Sequence, residues 1–126
     1  MRLITMAAAA LLLVPAAASA QSMNAEEFHR RATALQKKGP MALFSRGEIK
    51  VLMNEGTGAA KRAREQRLTT VRAGGKPRYC PPDGPQSLGS SEFMQRLSAI
   101  PQAQRARIDM TEATTRVLAD KFPCGA

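Results

Sequence analysis

The chain carries two cysteines, both in its second half: Cys80 in the stretch Arg78-Tyr79-Cys80-Pro81-Pro82-Asp83-Gly84, and Cys124 in Phe122-Pro123-Cys124. A bond between them would tie a proline- and glycine-rich loop to the chain's end across 44 residues. In the chain-entropy model, closing a loop of that length stabilises a fold by roughly 4 kcal/mol, a large part of the net stability of a small domain. Whether the bond forms depends on the compartment in which the chain folds.

The first residues speak to that. Met1-Arg2 is followed by an apolar run from Leu3 to Val14 broken only by Thr5, then Pro15, then small residues closing on Ala18-Ser19-Ala20. This order of a positive start, an apolar stretch and an A-x-A site predicts a signal peptide over 1–20, cut after Ala20. Crossing hydrocarbon takes about 20 apolar residues; the run is shorter, so a membrane-spanning segment is not expected. Gln21 rather than cysteine follows the cut, which speaks against a lipid anchor. The expectation is a periplasmic protein in which a Cys80–Cys124 disulfide is the default.

Without the leader 106 of the 126 residues remain, forming a single domain over 21–126 near the lower end of what one core sustains. There is no tryptophan, one tyrosine and four phenylalanines. So few rings suggest closely packed helices built on Leu, Met, Ile and Ala. Periodicity agrees. Asn24 followed by Glu27 has the form of a capping box, and Phe28, Ala32 and Leu35 then mark one face of a helix over 24–38, ended by Gly39-Pro40. Pro40 to Phe44 forms a short apolar turn with proline at its first position.

A longer helix runs from Glu48 to about Arg72, with Gly56, Ala60 and Ala63 offering a face that a neighbouring helix can approach closely. Gly56 and Gly58 each weaken a helix by about 1 kcal/mol relative to alanine, so a kink or break is expected there. Ala73-Gly74-Gly75-Lys76-Pro77 stops the helix, and no regular element fits the loop that follows. Ser90 or Ser91 is expected to cap a helix striped by Phe93, Leu97 and Ile100, and Pro101 marks a restart. Asp109 and Glu112 read as a second capping box, opening a helix whose apolar face is Met110, Ala113, Val117, Leu118 and Phe122. The fold class is a small all-α bundle of four to five helices.

Nineteen lysines and arginines against ten acidic residues give +9, and +8 once Arg2 leaves with the leader. In the cytosol this would point to nucleic acid. Export removes that partner and leaves anionic envelope surfaces, glycan polymers or an acidic protein. The cations concentrate at Lys61, Arg62, Arg64, Arg67 and Arg72, and Lys76 and Arg78 continue the run into the loop. Such a run is usually a solvated face, here with Glu65 available for an ion pair; the alternative is a docking face for an acidic partner.

Catalytic chemistry finds no constellation. His29 is the single histidine and lies among charged neighbours, as an exposed surface residue would. Ser45, Ser90 and Ser91 lack a nucleophile-elbow context. Glu26-Glu27 are helix-start acids, and Gly74-Gly75 lacks the strand-to-helix setting of a phosphate loop. One histidine and two cysteines are too few soft ligands for a metal site. No cofactor, metal or enzymatic activity is expected.

From Tyr79 onward the chain resembles the Rap/Tai-type immunity proteins, small exported proteins that protect bacteria from cell-wall amidases delivered by type VI secretion. Cys80-Pro81-Pro82-Asp83-Gly84 is similar to that family's Cys-x-Pro-x-Gly segment. Phe93-Met94-Gln95-Arg96-Leu97 followed by Ile100-Pro101 resembles its helix running into a proline turn, and Phe122-Pro123-Cys124 its terminal motif. The resemblance implies an all-helical fold, a C-terminal disulfide, frequent homodimers and inhibition by occupying a toxin's cleft. The chain departs from the family in having no cysteine between Asn24 and Tyr79. The expected function is therefore non-enzymatic protein binding, with Lys61, Arg64, Arg67, Arg72, Arg78 and Asp83 as the contact residues. The alternative is a basic envelope protein of structural or chaperone-like kind that binds anionic surfaces.

Overall fold

Two capping side chains set where the first and last helices begin. In the computed structural model, which describes residues 22–125, the Asn24 backbone is extended and its Oδ1 accepts from the Glu26 and Glu27 amides, starting α1 (Ala25–Lys37). Asp109 accepts from the Glu112 amide and starts α5 (Met110–Lys121). Both caps are one-sided: Glu27 pairs with Arg31, and Glu112 with Arg78 and Arg116. The two caps lie side by side. The Ala25 amide donates to the Ile108 carbonyl at 3.0 Å and the Met110 amide to the Met23 carbonyl at 2.7 Å, an antiparallel bridge that holds the heads of α1 and α5 together.

Gly39, at φ 55°, and Pro40 end α1 as expected and lead into a 3-10 turn, Gly39–Phe44. The following helix, α2 (Arg46–Arg72), is 27 residues long. It runs unbroken through Asn54 to Gly58, where a kink or break was expected. Buried Leu52, Ala59 and Ala63 anchor the helix on both sides of that stretch, which offsets the intrinsic penalty of two glycines. Gly58 also has a use. A Cβ there would come within 3.0 Å of Arg62 Nη1, so the missing side chain leaves room for Arg62 to reach back to Glu55 at 3.3 Å.

Residues 75–89 form a loop without regular structure. The N-cap of α3 (Ser90–Ala99) is Gly89, with no side-chain cap bond. Ser90 and Ser91 thus lie inside the first turn, contrary to the expected capping role; Gly89, at φ −65° and ψ 153°, supplies the extended entry. Ile100 is held extended before Pro101, and the short α4 (Gln102–Arg105) restarts beyond it. Among the described residues the chain is all-α, with five α-helices, one 3-10 turn and one disulfide.

The most extensive helix pairing is α2 on α5. Ala59, Ala63, Leu97, Met110 and Ala113 are completely buried, with Val117, Ala25 and Phe28 beside them. Arg105 is buried too, and its charge is answered: Nε donates to Glu26 at 2.7 Å and Nη1 to the Ser98 carbonyl at 3.3 Å, pinning α4 between α1 and α3. The Cys80–Cys124 disulfide is formed. Near it the Cys80 amide donates to the Phe122 carbonyl at 2.8 Å and Lys121 Nζ to the Ser87 carbonyl at 3.1 Å. The loop is thereby strapped to the end of α5. The expected leader, 1–20, lies outside the described residues. No helix among those described is long and apolar enough to cross a membrane.

Candidate functional site

On α2, Ile49, Met53, Gly56 and Ala60 recur at spacings of four, three and four, which places them along one stripe. The expectation of one closely packed face at Gly56, Ala60 and Ala63 is only partly met. Ala63 is sealed with Ala59 in the core. Over Gly56 and Ala60 no helix lies: a Cβ built on Gly56 meets nothing within 4 Å, and Ala60 is exposed. The twelve residues of α5 close one side of α2 and leave the adjacent side open.

That open side is one wall of a groove of about 600 Å³. α1 contributes Phe28, Ala32 and Leu35, the stripe that sequence periodicity predicts to be buried. From α3 come Phe93 and Met94, and Phe93 meets Phe28 edge to face, with ring centroids 6.1 Å apart. α5 divides its apolar residues between two tasks. Met110, Ala113 and Val117 belong to the core, whereas Leu118 and, just past the helix end, Phe122 line the groove. The strapped loop closes one end with Gln86, Ser87 and Leu88.

No charged residue lines this groove, although the chain is strongly basic. The floor includes Thr114, which is 2% exposed, and whose Oγ1 is buried without a hydrogen-bond partner among the described residues. Leaving a buried hydroxyl unpaired costs about 1–3 kcal/mol. In the 3-10 turn between α1 and α2, Met41, Leu43 and Phe44 are also exposed, at 62%, 68% and 83%.

The groove's outer edge is cationic. Lys50 is one turn before Met53, Lys61 one turn after Thr57, and Arg64 one turn after Ala60. All three are exposed, and none has a carboxylate within ion-pair distance among the described residues. Two of the six contact residues expected from sequence, Lys61 and Arg64, therefore lie beside the groove. The others are placed elsewhere. Arg72 is exposed at the end of α2 and Asp83 in the loop beyond Cys80. Arg67 is half-buried, its guanidinium 5.4 Å from the centre of the Tyr79 ring. Arg78 grips Glu112, with Nη2 donating to Oε1 at 2.8 Å. That hydrogen bond holds the Glu112 carboxyl below its usual range.

His29 is half-buried rather than fully exposed, with Nε2 2.9 Å from Ser98 Oγ. Burial pushes its imidazole below the ordinary value, and the nearby Arg105 charge adds to this. No group of three metal-ligating side chains occurs among the described residues. Both cysteines are in the disulfide. The groove's stripes were visible in the sequence as periodic apolar residues. Nothing in the periodicity told which of them a neighbouring helix would cover. Compared with known proteins, the chain matches no family model, no curated protein and no solved structure.

Proposed function

We propose that the chain is an exported, non-enzymatic binding protein of the immunity class, which neutralises a cell-wall amidase effector in the periplasm by docking against it. The open groove carries the binding part of this reading. Four helices turn apolar side chains towards a space of about 600 Å³ that no described part of the chain fills, and apolar clefts of this volume are where proteins bind other molecules. The disulfide supports export, since such bonds persist in oxidising compartments. The ordered motifs at 80–84, 93–101 and 122–124 support the immunity class and supply the amidase as partner.

The reading is tested with the processed protein as bait in periplasmic extract and in a peptidoglycan-hydrolysis assay. The expected result is capture of an amidase whose hydrolysis of purified peptidoglycan stops at equimolar protein. Capture of no amidase, or hydrolysis that continues at saturating protein, contradicts the immunity role.

A second reading rests on Lys61, Arg64 and Arg72, exposed without carboxylate partners among the described residues. They suit a protein that associates with anionic envelope surfaces. The two readings separate on salt: contacts between exposed charges are largely screened at physiological ionic strength, while a packed protein complex persists.

A further inference from the structure

We infer that the groove seats an amphipathic helix of about three turns from an acidic protein partner, its apolar face inward and its carboxylates against Lys50, Lys61 and Arg64. This deepens the binding reading given above and rests on it.

The shape of the groove argues for a helix. The open stripe from Ile49 to Ala60 is about 16 Å long, or three helical turns. Along it Gly56 and Ala60 present almost no bulk, so a helix backbone can come close, as ridges-into-grooves packing requires. A rigid apolar trough between helices is the usual receptor for a partner helix with residues at i, i+3, i+4 and i+7.

Charge argues for the kind of partner. The groove itself is neutral while its α2 edge is cationic, a pattern complementary to a helix with an apolar face and an acidic flank. A second copy of this basic chain would bring like charges together along that edge. A small apolar ligand such as a fatty acid fits less well. Lys50, Lys61 and Arg64 are spread along about four turns of α2, and a fatty acid's one carboxylate can answer only one of them.

The test uses the processed protein and two synthetic helical peptides of about 15 residues. They share one apolar face and differ only in carrying glutamates or lysines along its flank. In titration calorimetry the glutamate peptide binds, and the lysine peptide binds at least about tenfold more weakly. Gly56→Leu, which fills the groove from a position where a side chain meets nothing, abolishes binding while far-UV circular dichroism stays unchanged. The double variant Lys61→Glu, Arg64→Glu reverses the order of the two peptides.

Four results overturn the inference: neither peptide binds; both bind equally; palmitate binds and the glutamate peptide does not; or sedimentation shows a dimer that Gly56→Leu dissociates. If a captured amidase binds Gly56→Leu as tightly as the parent, the groove is not its seat and the immunity reading stands. If the glutamate peptide behaves as described but no amidase is captured, the groove inference stands and the immunity reading falls.

Discussion

Ala59 and Ala63 on α2 are completely closed off by the rest of the fold, whereas Gly56 and Ala60, within the same two turns, face an open groove. All four side chains are minimal. Small residues in a helix therefore state that something can come close, and the length and placement of the neighbours decide what does. Around Ala59 and Ala63 the same chain closes in, with α5 as the main neighbour of α2. Against Gly56 and Ala60 the chain supplies none, and the surrounding side chains remain neutral and apolar while cations gather at the rim.

Breaking the disulfide has the largest expected effect and acts on one side of this comparison. Cys80→Ser releases a constraint spanning 44 residues and lowers stability by roughly 4 kcal/mol. Because the bond straps the loop at the groove's end to the tail of α5, native-state amide exchange accelerates first in 80–89 and 122–124. The α2–α5 seam exchanges last. Uniform acceleration across both regions would show that seam and groove are not separately held.

Ala59→Leu probes the sealed side. It forces three extra carbons into a fully buried position and is expected to cost about 1–3 kcal/mol in chemical unfolding. The same enlargement on the open side acts in the opposite direction. Gly56→Leu meets no neighbour, removes a glycine from a helix interior, and raises stability by up to about 1 kcal/mol. Equal destabilisation by the two variants would mean that the groove closes in solution.

The smallest expected effects come from titration. The folded value of His29 is lowered, chiefly by burial, so the folded state favours the neutral ring. Its contribution is complete above about pH 6.5 and is lost as pH falls through that value towards the lowered one. His29→Gln removes this step. Glu112, Glu48 and Glu92 are held below the usual carboxyl range by hydrogen bonds from Arg78, Arg31 and Lys121. Their contributions are complete above about pH 4.3 and disappear as pH falls further. The melting temperature should be flat above neutrality, dip slightly below pH 6.5 and decline further below pH 4. The Arg78–Glu112 pair joins the loop to α5, so the groove side loosens before the seam on acidification.

Local chemistry was readable in the chain. Asn24 and Asp109 announce their helices because a short oxygen-bearing side chain answers free amides, Gly39-Pro40 announces a stop, and two cysteines announce a bond. Readings that depended on neighbours were less secure. The glycines at 56 and 58 suggest a break, yet packing of Leu52, Ala59 and Ala63 holds the helix through them. Ser90 and Ser91 have the right chemistry for a cap, but Gly89 takes the position. Leu118 and Phe122 share a periodic face with Val117 and face the groove instead of the core. Arg67 and Arg78 read as part of a solvated or docking face, and only the fold reveals Tyr79 and Glu112 beside them. Lys61 and Arg64 are exposed, and their meaning depends on a groove that single-helix periodicity cannot show.

The measurement that bears most directly on this account is the affinity of Gly56→Leu for the acidic amphipathic peptide, taken on the same sample as its unfolding midpoint. The account predicts a midpoint equal to or above that of the parent protein, with peptide binding lost. A variant equally stable that binds the peptide as tightly as the parent would contradict it.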